Sequence, residues 1–197
     1  MSVRIPKRLK LRPKFRGLPI PYIALIDDQG KPDFRVTDER KRIDIMRRRC
    51  CQLCGDSLGK YFFFVGGTEA AKANAYFEPA CHLDCLMYAM QVCPFIAGKL
   101  EHVDLNKVQA DYNDQLKGDT VKLARIAGGI DIKADSTFTV KKNPYWVIKK
   151  AQGWKCVKTA DETILLQPLG ILKVTPPIHA ETMTGAAWSK VMEWLSK

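Results

Sequence analysis

Two short residue pairs hold the chemistry of this chain. Cys51-Gln52-Leu53-Cys54-Gly55 sets two thiols two residues apart, and after 27 intervening residues His82-Leu83-Asp84-Cys85 repeats the spacing with one imidazole and one thiol. Thiolate sulfur and imidazole nitrogen are what tetrahedral Zn(II) prefers, and four of them leave no coordination position for water. The expectation is a structural zinc ion on Cys51, Cys54, His82 and Cys85. Cys50 and Cys81 are chemically able substitutes, but two intervening residues suit a tight turn and a helix start better than three. Gly55 suits the turn because it adopts positive φ without a Cβ penalty. Cys93 and Cys156 read as small buried hydrophobes.

The elements that must position these ligands follow from the sequence between and around them. Lys60–Val65 is strand-like, Gly66-Gly67 breaks it, and Ala75-Tyr76-Phe77 is the expected return strand. A helix over about 81–92, with Leu86, Met90 and Cys93 on one face, then carries the second ligand pair. Knuckle, hairpin and helix make a treble-clef-like zinc core in which the metal supplies folding free energy that so small a unit lacks.

Outside that core, Tyr22–Ile26 and Phe34–Val36 flank the turn signal Asp27-Asp28-Gln29-Gly30 and predict a hairpin. Thr37 or Asp38 then caps a helix over 38–49, with Ile43 and Met46 inward and Arg40, Lys41, Arg42 and Arg47–Arg49 outward. Four short strands, at 145–148, 154–157, 163–166 and 171–174, with turns at Gly153 and Pro168–Gly170, predict a small antiparallel sheet. A closing helix with Met183, Ala187, Val191 and Trp194 at helical spacing is expected to pack on it, capped by Thr182 or Thr184. The fold class is therefore α+β: a basic arm over 1–16, a zinc-binding domain over 17–99, a linker with a helix near 104–115 over 100–136, and a C-terminal sheet and helix over 137–197. No internal repeat or low-complexity tract interrupts this order.

Charge and composition bound the partners. The chain of 197 residues is 46% apolar, enough for a buried core, and carries a net charge of +11. Residues 1–50 hold 15 basic against 6 acidic residues, 51–140 hold 8 against 11, and 141–197 hold 9 against 4. Clustered cations gain counterion-release free energy on meeting phosphates, so DNA or RNA is one expected partner; an acidic host protein is the other. The candidate nucleic-acid contacts are Arg4, Lys7, Arg8, Lys10, Arg12, Lys14 and Arg16 on an extended arm, the triplet Arg47, Arg48 and Arg49, and Lys149 and Lys150 near Tyr145, Trp146 and Trp154. The triplet has an equal structural reading, as charge stabilising a helix C-terminus, and the tryptophans have one as core. Seven bunched cysteines fit a reducing compartment better than a disulfide framework. No window approaches the roughly 18 uninterrupted apolar residues of a membrane span, and no apolar stretch follows the basic N-terminus. A cytoplasmic protein without a membrane partner is expected.

Catalysis lacks a residue set. A nuclease of the HNH kind needs a general-base histidine on the hairpin and a second metal-binding residue on the helix, whereas His82 is committed to zinc and His102 and His179 lie elsewhere. Gly66-Gly67 and Gly128-Gly129 lack the Lys-Ser/Thr of a phosphate loop, and Cys93 with His102 is a weak thiol dyad.

The motif order also resembles a known pattern. Arg16-Gly17, Pro19, Pro21-Tyr22, the string Gly30-Lys31-Pro32-Asp33-Phe34-Arg35-Val36, the Cys51 pair with Leu58-Gly59, Glu78-Pro79, the His82 pair and Cys93-Pro94-Phe95 are similar to a family of uncharacterised bacterial and phage proteins. The likeness covers most of 16–96 and thins to Asn143-Pro144 and the closing elements beyond. It implies zinc binding and a bacterial or phage origin, and brings no activity with it; a phage or mobile-element association is the expectation.

Overall fold

In the computed structural model, which describes residues 3–93, 96, 102–104, 124–126, 139–141, 145–160 and 162–197, the N-terminus is not the extended arm its prolines suggested. The Pro6 carbonyl accepts the N–H groups of Leu9 and Lys10 and starts one helical turn, Lys7–Lys10 (α1). Leu9 on that turn is buried in the main core, so one apolar residue among the cations packs the segment against the domain. Lys14–Phe15 (β1) and Leu18–Pro19 (β2) then pair around Arg16-Gly17, both at positive φ, as a tight hairpin turn requires.

The next hairpin lies where the turn signal put it. Ala24–Ile26 (β3) and Pro32–Asp38 (β4) are antiparallel, with Asp27 Oδ1 accepting the N–H groups of Gln29 and Lys31 inside the turn. Asp38 caps the helix Glu39–Arg48 (α2) by accepting from Arg40 and Lys41 N–H, and Arg49 ends it in the left-handed region. Its inward face differs from expectation: Arg42, Ile45 and Met46 are buried and Ile43 only half-buried. Residues 42, 45 and 46 share one face at helical spacing, so Arg42 enters the interior with the apolar pair. There its guanidinium donates to Phe77 O, Ile164 O and Glu39 Oε1 and stacks over the Phe77 ring at 3.9 Å.

After the knuckle come Phe62–Gly67 (β5), Thr68–Ala73 (α3) and Leu83–Val92 (α4). No return strand forms at 75–77. The alanine-rich Thr68–Ala73 coils instead, Asn74 ends it at positive φ, and Tyr76 exchanges backbone hydrogen bonds with Leu166. His102–Asp104 (β6) pairs Thr139–Lys141 (β8), and Ala124–Ile126 (β7) adds to β4. The helix expected near 104–115, most of the linker over 100–136 and the helix stop at Pro94 lie outside the described residues.

The four short strands expected in the C-terminal part are two long ones, Tyr145–Lys158 (β9) and Ile164–Val174 (β10). Gly153 and Pro168–Gly170 lie within them; the chain reverses after Lys158, where Thr159 N–H donates to Thr163 O, and the one shift of register falls between Ile171 and Lys173, past Gly170. Ile178–His179 (β11) also pairs β9. Lys149–Ala151 of β9 pair β10 on one edge and β5 on the other, so β9 is central and joins the zinc segment to the C-terminal segment. The closing helix Gly185–Ser196 (α5) is capped by Thr184 and packs on α4. Its buried residues are Trp188 and Leu195, while Trp194 is exposed. Among the described residues no helix is long and apolar enough to cross a membrane.

Alternation along β9 explains Lys149 and Lys150. Both are buried, because β9 is covered on both faces, and adjacent side chains point to opposite faces. Lys149 Nζ donates to Ala71 O and Asn74 Oδ1 at the end of α3, and Lys150 Nζ to Leu195 O at the end of α5. Each ammonium therefore caps a helix C-terminus, where carbonyls lack partners and the dipole favours a cation. Burial lowers the Lys149 pKa.

Candidate metal centre

The knuckle is built by backbone hydrogen bonds before any metal is considered. Gly55 N–H donates to Cys51 O at 2.8 Å and Cys51 N–H to Asp56 O at 2.8 Å, a turn closed by Gly55 at φ 84°. A Cβ on Gly55 would lie 2.5 Å from the Tyr22 ring, which covers the turn. Gly55→Ala therefore combines a strained backbone with a clash, and about 3 kcal/mol of stability is expected to be lost in urea denaturation. An unchanged midpoint would mean that Tyr22 swings away at no cost.

The second ligand pair is placed by α4 and by β5. Phe63 and Cys81 exchange backbone hydrogen bonds, which fixes the chain just before His82, and His82 is the N-cap residue of α4. Cys85 then falls in the first helical turn. One donor atom from each of Cys51, Cys54, His82 and Cys85 lies within 4.8 Å of the others. All three cysteines are buried and His82 is half-buried. Cys54 Sγ and His82 Nδ1 are 3.4 Å apart. Bonds of about 2.3 Å to sulfur and about 2.0 Å to nitrogen around a tetrahedral ion imply about 3.5 Å for that edge, so the donor set fits zinc.

The surroundings orient the ligands. His82 Nε2 lies 3.0 Å from Ser57 O, so its N–H donates outward and Nδ1 is left facing the sulfurs, the arrangement found around metal-bound histidines. His82 N–H donates to Cys51 Sγ at 3.5 Å. Cys50 and Cys81 fall outside the group of four: Cys50 Sγ donates to Arg48 O, and Cys81 Sγ, beside Cys51, accepts from Gln52 Nε2. Burial first, then the hydrogen bond to and charge of Cys51, raise the Cys81 pKa and keep it a thiol.

Electrostatics within the cluster call for a central cation. Burial opposes ionisation of Cys51, yet hydrogen bonds from Cys54, Cys81, Cys85 and His82 bring its pKa well below the usual thiol range. Burial likewise lowers the His82 pKa, and bonds to and charge on Cys51 and Cys54 outweigh it, holding it up at about 10. Cys85 is pushed up, first by its bonds to Cys51 and Cys54 and then by burial. Thiols packed this closely cannot all ionise unless a metal ion replaces their protons.

Of the remaining candidate residues, Arg8, Arg12, Arg48 and Arg49 border the knuckle. Arg8 Nη1 is 3.9 Å from Asp56, and Arg12 Nε donates to Ile20 O and stacks on Tyr22 at 5.4 Å. Arg48 pairs with Asp44 and also reaches Tyr22; Arg49 lies over Phe62 and Trp154. Arg47 is exposed beside them, Lys14 and Arg16 are exposed on the β1–β2 hairpin, and Arg4, Lys7 and Lys10 are exposed over α4. Lys149 and Lys150 leave this set, since their ammonium groups are internal caps. Trp154 packs edge-on against Phe62 at 4.7 Å and serves the core. Cys93 is half-buried; Cys156 is exposed, against expectation, because the β9–β10 hairpin past Trp154 extends beyond the covering helices. The capping lysines were missed by sequence reasoning, and alternation of neighbouring lysines in a long apolar strand was the available signal. No protein-family model, no curated protein and no solved structure matches the chain.

Proposed function

We propose that this is a nucleic-acid-binding protein stabilised by a structural Zn(II) ion. The observation that carries the reading is the row of arginines bordering the metal-organised knuckle: Arg8, Arg12, Arg48 and Arg49, with Arg47, Lys14 and Arg16 nearby. The zinc orders the turn, and the turn holds the cations at fixed spacing for a phosphate backbone. Four protein ligands leave the ion no open position for substrate, which supports a structural rather than catalytic role. Free, buried thiols fit a cytoplasmic setting, and the motif resemblance supports a phage or mobile-element origin.

The test is the salt dependence of binding by zinc-loaded protein to labelled duplex DNA, single-stranded DNA and RNA. Affinity is expected to fall steeply with salt, and replacing Arg8, Arg47 and Arg48 by glutamine to flatten the log–log slope by about one for each lost phosphate contact. Weak binding at low salt, or a slope indifferent to the three substitutions, would sink the reading.

A further inference from the structure

The cations of the N-terminal segment face two ways. Arg8 points to Asp56 at the knuckle, whereas Lys7 and Lys10, one helical turn apart, join Arg4 on the lip of a separate cavity between this segment and helices α4 and α5. The cavity has a volume of about 320 Å³. Its apolar lining includes Ile5, Met87, Tyr88 and Met192, and Met192 is 40% exposed. Among the described residues no carboxylate pairs with Arg4, Lys7 or Lys10. Asp84 also lines the cavity and is the one acid against three cations.

We propose that this cavity is a docking site for an acidic segment of a partner protein. One aliphatic or aromatic side chain of the partner sits against Met87 and Met192, and its flanking carboxylates meet Arg4, Lys7 and Lys10. Charge complementarity selects the occupant: a cationic lip steers acidic partners and rejects basic ones. Unbranched methionines adapt to the shape of the inserted side chain, and a single apolar anchor in a pocket concentrates binding energy. A nucleobase is a poorer occupant, because stacking needs an open aromatic face and Tyr88 is only 7% exposed. The site stands apart from the arginines at the knuckle, so it does not depend on the nucleic-acid reading.

The experiment uses the zinc-loaded full chain and short fluorescein-labelled peptides of Asp and Glu with a central Leu, Phe or Ala, beside Lys-rich counterparts. The Leu and Phe acidic peptides are expected to bind, the Ala peptide about tenfold more weakly, and the Lys-rich peptides not at all. Met192→Glu, and separately the pair Lys7→Glu and Lys10→Glu, are expected to weaken the Leu peptide by about tenfold or more with zinc content and melting unchanged. Lys155→Glu, exposed on β9 and outside both surfaces, is the control expected to have little effect. Should Met192→Glu misfold, the lysine pair on the surface carries the test alone. Equal binding of Leu and Ala peptides, indifference to the cavity variants, no acidic peptide binding, or an oligonucleotide whose binding is lost in Met192→Glu would each overturn the proposal.

Discussion

Cys85→Ser is expected to abolish stoichiometric zinc binding and, with it, the cooperative unfolding transition. Cys85 is buried in the first turn of α4, within bonding reach of both knuckle thiols, and serine supplies a hard hydroxyl in place of a thiolate. Structural zinc contributes about 10–16 kcal/mol in small zinc modules, as much as the about 5–15 kcal/mol that separates most domains from their unfolded state. The loss should reach beyond the knuckle, because β5 follows it directly and is an edge of the β9 sheet. Acid should mimic the substitution. Metal binding requires deprotonated ligands, so the metal-bound state is favoured at high pH and lost as protons compete for Cys51, His82 and Cys85. Metal analysis combined with circular dichroism during thermal and acid titration checks both. A variant that keeps its zinc, or that melts as the parent does without it, would contradict a structural metal.

Arg42→Ala should cost about 3–5 kcal/mol, far more than any exposed arginine of the same helix. Its fork satisfies Phe77 O, Ile164 O and Glu39 Oε1. The other Glu39 oxygen, Oε2, is buried without a hydrogen bond, so that carboxylate depends on the guanidinium for compensation. Truncation strands a buried charge and two carbonyls together. Arg42→Lys keeps the charge but has no planar fork to reach three acceptors, and should fall between the two. Urea midpoints for Arg42→Ala, Arg42→Lys and Arg40→Ala give the comparison. A deficit below about 1 kcal/mol for Arg42→Ala would mean that water takes over the abandoned acceptors.

What the sequence made legible was mostly local. Ligand spacing, the Gly55 turn, the Asp27–Gly30 reversal and the caps at Asp38 and Thr184 depend on a few neighbouring residues, and the structure has them. What it hid depends on distant partners. Arg42 reads as one more surface arginine until Ile164 and Phe77 arrive from elsewhere in the chain. Tyr76 reads as a strand residue, as it would beside β5, but its partner is Leu166. Gly153 and Gly170 signal turns by composition, yet both lie inside the paired strands β9 and β10, Gly170 at φ 59° without reversing the chain. Lys149 and Lys150 look like a basic patch because helix ends that need cations are invisible along the chain. Spacing alone left Cys81 as an alternative ligand, while in the structure its sulfur lies outside the group of four, between Gln52 and Cys51.

The pairing of β5 with β9 has a consequence for the order of events during synthesis. Both ligand pairs leave the ribosome before β9, so the metal can organise the knuckle and α4 while later residues are still being added. The strand Phe62–Gly67, three consecutive phenylalanines within it, then waits for Tyr145–Lys158 to cover its open edge. During that interval the nascent chain displays a sticky, unpaired apolar strand beside an already rigid hub. Truncated products ending before β9 should be the species that aggregate or recruit chaperones, whether or not they hold their metal.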